Sequence, residues 1–240
     1  MFDYNFKRKL RSRYSKFFKE ASINSKSGVL HKNKKLKFAT LPYIGRKYGQ
    51  SPKILFIGLD IGSDENPGRG IISFHRRRHG IGNEKSYREI SYNPHIAGTL
   101  VTAAYFAYGN KVWAEIRAAK SYKGAIKILH KIGLQNPLSN IAITNFYKFV
   151  TKNRVNKAGA QDRKYIFPEH EQELLLDEIK IFNPQIIIFQ SVDFIKNGYR
   201  DFLKKLKLRN QKIKTYSGPH PSYRGSRKPK EYLKKIKLMR

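Results

Sequence analysis

The stretch Lys53-Ile-Leu-Phe-Ile-Gly-Leu-Asp-Ile-Gly-Ser-Asp-Glu-Asn-Pro-Gly-Arg-Gly70 decides the fold. Ile54 to Ile57 is a short apolar run without polar alternation. Such runs are strands buried on both faces, as in a parallel sheet. Gly58 ends the run and Asp60 follows. A loop with Gly62, Gly68 and Gly70 comes next, marked by the Pro67–Gly68 turn signal. In open α/β sheets, ligands bind outside the carboxyl ends of the strands. A carboxylate placed there, beside glycines that let a substrate approach the backbone, is a candidate site. The plain alternative is a strand that ends in a polar turn.

Downstream the same grammar repeats. Asn93-Pro-His-Ile-Ala-Gly-Thr99 opens an Ala-rich helix to about Ala107, and Ser121 to Ile132 reads as another, with Ile126, Leu129 and Ile132 apolar. Ile141–Thr144 is a second strand, ending in Asn145-Phe-Tyr-Lys148. Pro168-Glu-His-Glu-Gln-Glu173 starts a helix with Pro and acids in its first turn, as helix N-termini favour. Leu175, Ile179 and Phe182 form its inner face. Gln185–Phe189 is a third strand, ending at Gln190-Ser191, and a basic helix from about Val192 to Leu206 follows. Lys212–Tyr216 is a fourth strand, running into Ser217-Gly-Pro-His-Pro-Ser-Tyr-Arg-Gly-Ser226. A last basic helix is expected from about Lys230 to Leu238. Alternating strands and helices give the α/β class. The expected architecture is three layers, α/β/α, around a central, mostly parallel four-stranded sheet.

Upstream, residues 1–50 interleave basic and aromatic side chains, as in Phe6-Lys-Arg-Lys-Leu-Arg-Ser-Arg-Tyr14. They read as a basic arm or helical extension, ahead of a single α/β domain over 51–240. Part of the extension is a helix docked through Phe17 and Phe18, an arm lying along a duplex, or a helix with a solvated basic face.

Lys and Arg number 50 against 17 Asp and Glu, a net charge of +33 over 240 residues. Such a field favours a polyanion. Nucleic acid is the first candidate, held through phosphates with strong salt dependence, and an anionic membrane surface is the competitor. No apolar stretch approaches the length of a spanning helix, and Lys and Arg interrupt any signal-peptide core near the N-terminus. The 40% hydrophobic content and the periodic segments indicate a globular chain. With no cysteine, disulfides, thiolate catalysis and cysteine-ligated metal centres are excluded, and a cytoplasmic location fits.

Three strand ends carry groups of mechanistic interest: Asp60, Asn145 and His220. The carboxylate can orient water or stabilise positive charge. The amide can read a donor–acceptor pair on a base. The imidazole can donate to a developing anion. Singly, Asn145 fits a turn cap and His220 a turn histidine. Phe74-His-Arg-Arg-Arg-His79 holds two histidines at helical spacing, but three arginines lie between them, which suits a phosphate-facing loop rather than a metal. No dinucleotide fingerprint, Walker A loop or nucleophile elbow is present.

Taken together, these segments resemble the uracil-DNA glycosylase superfamily. Gly58-Leu-Asp-Ile-Gly62 is similar to its first motif and His220-Pro-Ser222 to its second. Ile143-Thr-Asn-Phe-Tyr-Lys148 is similar to the Ile-Thr-Asn-x-x-Lys stretch of the cluster-bearing branch, and Pro184-Gln-Ile-Ile-Ile-Phe189 to the family's Pro-x-x-Ile/Val strand. The resemblance spans about residues 52–226. It implies that Asp60 positions water and stabilises an oxocarbenium-like sugar, that His220 stabilises the leaving base, and that Asn145 reads the flipped base. Phe74 would stack on that base. Lys148, Ser222, Tyr223 and Arg224 would contact DNA, with Tyr223-Arg224 as the wedge. Arg76, Arg77 and Arg78 have no counterpart in the family and are expected to contact DNA as the phosphate-facing loop.

Two departures bear on the substrate. The four cluster cysteines of that branch are missing. Gly62 stands where the uracil-specific branch has a tyrosine that excludes a 5-methyl group, while Glu65 falls where the cluster-bearing branch has a glutamate. With Glu65 closing the pocket, uracil is the substrate. With Gly62 leaving it open, a larger C5-substituted pyrimidine fits, such as a hydroxymethylated or glucosylated cytosine of phage DNA. The expected function is therefore a monofunctional DNA glycosylase in repair or antiviral defence, with a non-catalytic nucleic-acid-binding module as the alternative. No metal or organic cofactor is implied. Duplex DNA is the expected partner, without a membrane, and a monomer is expected.

Overall fold

The computed structural model describes residues 2–32, 34, 36–38, 41–50, 52–59, 94–132, 137–151, 168–195, 199–209, 212–221 and 228–239. In chain order the elements are α1 (Phe2–Glu20), β1 (Leu36–Phe38), β2 (Tyr43–Ile44), β3 (Ile54–Gly58), α2 (Pro94–Tyr108), α3 (Asn110–Ile116) and α4 (Tyr122–Lys131). They continue with β4 (Ile141–Asn145), β5 (Phe149–Thr151), α5 (Pro168–Phe182), β6 (Ile186–Phe189), α6 (Arg200–Arg209), β7 (Lys214–Ser217), α7 (Pro229–Lys234) and β8 (Lys237–Leu238).

β3 is buried throughout, as its apolar run requires. It pairs in parallel with β4 on one side and β6 on the other, and β6 pairs in parallel with β7. These are the four expected strands. The sheet is nevertheless six strands wide, in the order β2-β4-β3-β6-β7-β8, because β2 and β8 add antiparallel edges. β1 and β5 form a separate antiparallel pair.

The two faces of the sheet carry different helices. Leu55 and Ile57 face a core with Leu174, Leu175, Ile179 and Phe182 of α5, Phe202 and Leu206 of α6, and Leu10, Tyr14 and Phe17 of α1. Ile54 and Phe56 face the other core, with Ala97, Leu100 and Val101 of α2, Ile116 of α3, Ile126 and Leu129 of α4, and Tyr232 of α7. The class is α/β in three layers. The β3-to-β4 connection is the only one of the three parallel crossovers that passes over the α2 face. Right-handed crossovers explain this, since it moves the chain one way across the sheet and the next two move it the other way. The direction of winding therefore reverses at β3, which is where open sheets form a crevice.

Local chemistry accounts for most of the boundaries. The Ser121 hydroxyl caps α4 by accepting from the Gly124 N–H at 3.1 Å. Tyr122, Ala125, Ile126 and Leu129 form its buried stripe, while Ile132, expected on that stripe, is 44% exposed. α5 ends at Asn183, whose φ of 44° is left-handed, just before Pro184.

Two helix expectations need correction. The helix expected from Val192 is a 3-10 turn over Val192–Ile195, and α6 begins only at Arg200. The Ser191 hydroxyl accepts from the Asp193 N–H at 3.1 Å and shapes that turn. The last helix stops at Lys234, and the chain turns into β8 so that Ile236 seats against Gly218.

Residues 1–50 do not stand apart from the body. α1 is the helical extension, docked through Leu10, Tyr14 and Phe17, and β2 is an edge of the main sheet. Phe17 is buried as expected.

Candidate functional site

The register of the parallel strands defines the site. Gly58, the last residue of β3, pairs with Asn145, the last residue of β4. On the other side, Ile57 pairs with Phe189, and Phe189 with Ser217. The ladders run one bond further, with Gln190 N–H donating to Ile57 O at 2.8 Å and Gly218 N–H to Phe189 O at 3.1 Å. At this level the row across the sheet reads Asn145, Gly58, Gln190, Gly218, the first two ending β4 and β3 and the last two following β6 and β7. It alternates amide, glycine, amide, glycine along the carboxyl edge.

All four lie on one face. Ile143, Phe56, Ile188 and Tyr216 precede them by two positions, and all pack on the α2 side. Asn145 and Gln190 therefore project to the same side, with side-chain-free Gly58 between them. At a strand spacing of roughly 4.8 Å, their backbones are about 10 Å apart. Both amides are sequestered, Asn145 at 7% and Gln190 at 1% exposure.

α2 roofs this row. Gln190 Nε2 donates to Thr99 Oγ1 at 2.7 Å, while Gln190 Oε1 is buried with no hydrogen-bond partner among the described residues. A buried carbonyl oxygen left unmatched costs roughly 1–3 kcal/mol. Such a group calls for a ligand or a bound water. Gln190 is the site residue that sequence reasoning passed over. It was legible as the polar end of the third strand, but only the register sets it opposite Gly58.

His220 leaves β7 between Pro219 and Pro221, which restrict the backbone on both sides. Pro221 packs on α2 so closely that a Cβ at Gly98 would lie 2.7 Å from the Pro221 Cβ. Gly98 thus lets the His220 segment rest against the helix that roofs the row. The ring of His220 is at the surface, yet burial by the surrounding protein lowers its pKa from the ordinary histidine value. The neutral imidazole is the favoured form at pH 7.

Behind Asn145, on the opposite face, lies a buried polar network. Lys148 Nζ donates to Thr144 Oγ1 at 2.7 Å and to both oxygens of Glu178, at 2.8 and 2.7 Å. The Tyr14 hydroxyl of α1 donates to the same carboxylate. Lys148, expected to contact DNA, is instead 2% exposed at its side chain and ion-paired inside the protein. A lysine that deep cannot reach a phosphate, and its role is to hold the segment after Asn145.

Glu171 holds that segment as well. Its Oε1 accepts from the Lys148 and Phe149 N–H groups at 2.6 and 3.0 Å, and its buried Oε2 has no partner among the described residues. Burial raises the carboxyl pKa from 4.5 to about 7, against the lowering effect of those hydrogen bonds and of Lys148. The folded protein therefore keeps a proton that the unfolded chain releases. The stability this proton contributes is complete below about pH 4.5 and is lost as the pH rises toward 7. Between pH 5 and 8, the stability of wild type is expected to fall relative to Glu171→Gln by about 3 kcal/mol. Melting curves of both proteins across this range measure the difference, and parallel pH profiles would contradict it.

Asp60, Gly62, Glu65, Phe74, Arg76, Arg77 and Arg78 lie outside the described residues, as do Ser222, Tyr223 and Arg224. Of the expected site residues, the structure brings Asn145 and His220 to one edge of the sheet, beside the strand that leads into Asp60. Among the described residues, no group of three or more His, Asp or Glu is arranged to hold a metal ion, and no helix is long and apolar enough to cross a membrane. No known family model matches the chain, and a search of curated proteins returns no match.

Proposed function

We propose that the protein is a monofunctional DNA glycosylase that extrudes a pyrimidine nucleotide and hydrolyses its N-glycosidic bond. The observation that carries this proposal is the carboxyl-edge row, in which two buried amides flank a glycine at the point where the winding reverses. A flat, polar heterocycle with donors and acceptors along one edge suits such a slot. The net charge of +33 supports a nucleic acid as the molecule that delivers it. The resemblance in four motifs adds the reaction class.

In this mechanism Asn145 and Gln190 bond the edge of the extruded base, the latter through its unmatched Oε1. The bond between C1′ and the base nitrogen breaks first, and its electron pair leaves with the base. His220, neutral at pH 7, donates an N–H hydrogen bond to the anion that forms. Asp60 orients a water and offsets positive charge on the sugar. The water oxygen bonds to C1′, and the proton it gives up balances the charge of the departing base. The products are free base and an abasic site.

The test is base release from duplexes carrying uracil, a mismatched thymine, hydroxymethylcytosine or its glucosylated form, read as alkali-labile sites. Release from one of them names the substrate and separates the repair and defence alternatives. Tight binding without release on any of them would favour the non-catalytic module. The same panel tests Gln190. Gln190→Leu removes the unmatched carbonyl oxygen and also the donor to Thr99 Oγ1, two effects of opposite sign and roughly 1–3 kcal/mol each, so a thermal melt of the variant accompanies the assay. On the substrate that wild type cleaves, kcat/KM is expected to fall about 10–100-fold, the loss of one base hydrogen bond. Unchanged kcat/KM would remove Gln190 from the site.

A further inference from the structure

We infer that a second region, a cleft between the α3–α4 turn and α7, grips the phosphodiester backbone of nucleic acid. The cleft encloses about 420 Å³ and, among the described residues, is lined by Arg117, Lys120, Lys228, Lys230 and Lys234 with Glu231 as the one acid. Ala118 and Ala119 complete the lining and add no bulk. Glu231 stands 3.9 Å from Lys228, so one acid faces five cations. Like charges drawn to one cleft from two segments over 100 residues apart repel one another, and a polyanion relieves that repulsion.

The topology sets this cleft on the same side of the protein as the amide–glycine row. α4 must descend to the amino end of β4, so the turn before it lies toward the carboxyl edge. α7 leads into β8, whose Lys237 pairs with Ser217 at the carboxyl end of β7. Tyr122 of α4 and Tyr232 of α7 brace the two walls, with ring centroids 6.2 Å apart. The Tyr232 side chain also hydrogen-bonds Thr102 of α2, the helix that roofs the row. A strand lying across this edge would run from the candidate site into the cleft.

The kind of cation identifies the ligand. All five are exposed, on flexible stems. Mobile point charges suit a repeating backbone better than one small anion fixed in a single pose. A lipid surface would need large apolar side chains beside the charges, and among the described residues the cleft offers two alanines.

This inference rests on nucleic acid being the partner, and binding tests it without reference to base release. Duplex affinity is measured against salt for wild type, for Lys228→Ala/Lys230→Ala/Lys234→Ala, and for a control, Lys180→Ala/Lys204→Ala/Lys207→Ala, on the opposite face. Thermal melts confirm that each protein is folded. Loss of three phosphate contacts should make the slope of log K against log salt shallower by about 2.7. A fourfold rise in salt should then weaken wild type about 40-fold more than the cleft variant. An unchanged slope, or an equal change in the control, overturns the inference, as does the same lysine dependence on anionic vesicles without duplex binding. A wild-type protein with no affinity for duplex would instead overturn nucleic acid as the partner.

Discussion

Asp60→Asn is expected to lower base release about 10²–10⁴-fold while leaving duplex affinity within about twofold. The substitution keeps the size and hydrogen-bonding outline of the side chain and removes its charge. In the proposed mechanism that charge acts on the reacting centre, where positive charge develops on the sugar and a water must be turned toward C1′. In the same proposal, grip on DNA comes from lysines and arginines and is a separate quantity. Single-turnover release on the best duplex substrate, with binding measured on the same duplex, separates the two. Equal activity in the variant would refute the role of Asp60 and the mechanism built on it. Loss of activity and affinity together would point to a collapsed site.

Lys148→Met is expected to destabilise the fold by about 3–5 kcal/mol. It leaves the Glu178 carboxylate, 0% exposed, without its cation. Tyr14 and Thr144 still donate to that carboxylate, but hydroxyls do not neutralise a charge. At about 2–4 °C per kcal/mol for a chain of this size, the melt should shift down by about 6–20 °C. Lys148→Met/Glu178→Met should recover much of the loss, because the stranded charge goes with its partner. A single variant within 1 kcal/mol of wild type would show that the pair holds nothing in place. The outcome also separates the two roles of Lys148, because a DNA-contacting lysine would change affinity and salt dependence and leave the melt alone.

The sequence was most legible where one residue type decides the outcome. The apolar runs at Ile54, Ile141 and Ile186 gave the parallel core directly, because strands buried on both faces read as near-continuous apolar runs. β2 and β8, of two residues each, are too short for any periodicity and are made by pairing with β4 and β7. Lys148 was misjudged because a lysine in a basic chain defaults to the surface. The opposing signal lay in α5, where Glu171 and Glu178 fall on the same stripe as Leu175 and Phe182. Carboxylates on an apolar stripe require a buried partner. Asn145 and His220 stood out as polar groups at strand ends. Gln190 did too, but its relation to Gly58 exists only once β3 and β6 are neighbours in register.

The attachment of α1 bears on how this protein can be handled. With so many positive charges near its N-terminus, trimming the first 20 residues is a natural step to reduce carry-over of nucleic acid during purification. That cut would remove Leu10, Tyr14 and Phe17 from the core, uncover the outer side of α5, and take a donor from Glu178. The same carboxylate fixes the chain just beyond Asn145. Shortening the protein at its far end would therefore loosen the floor beneath Asn145, and neutralising the exposed Arg8 and Lys9 in place is the way to shed charge and keep the site.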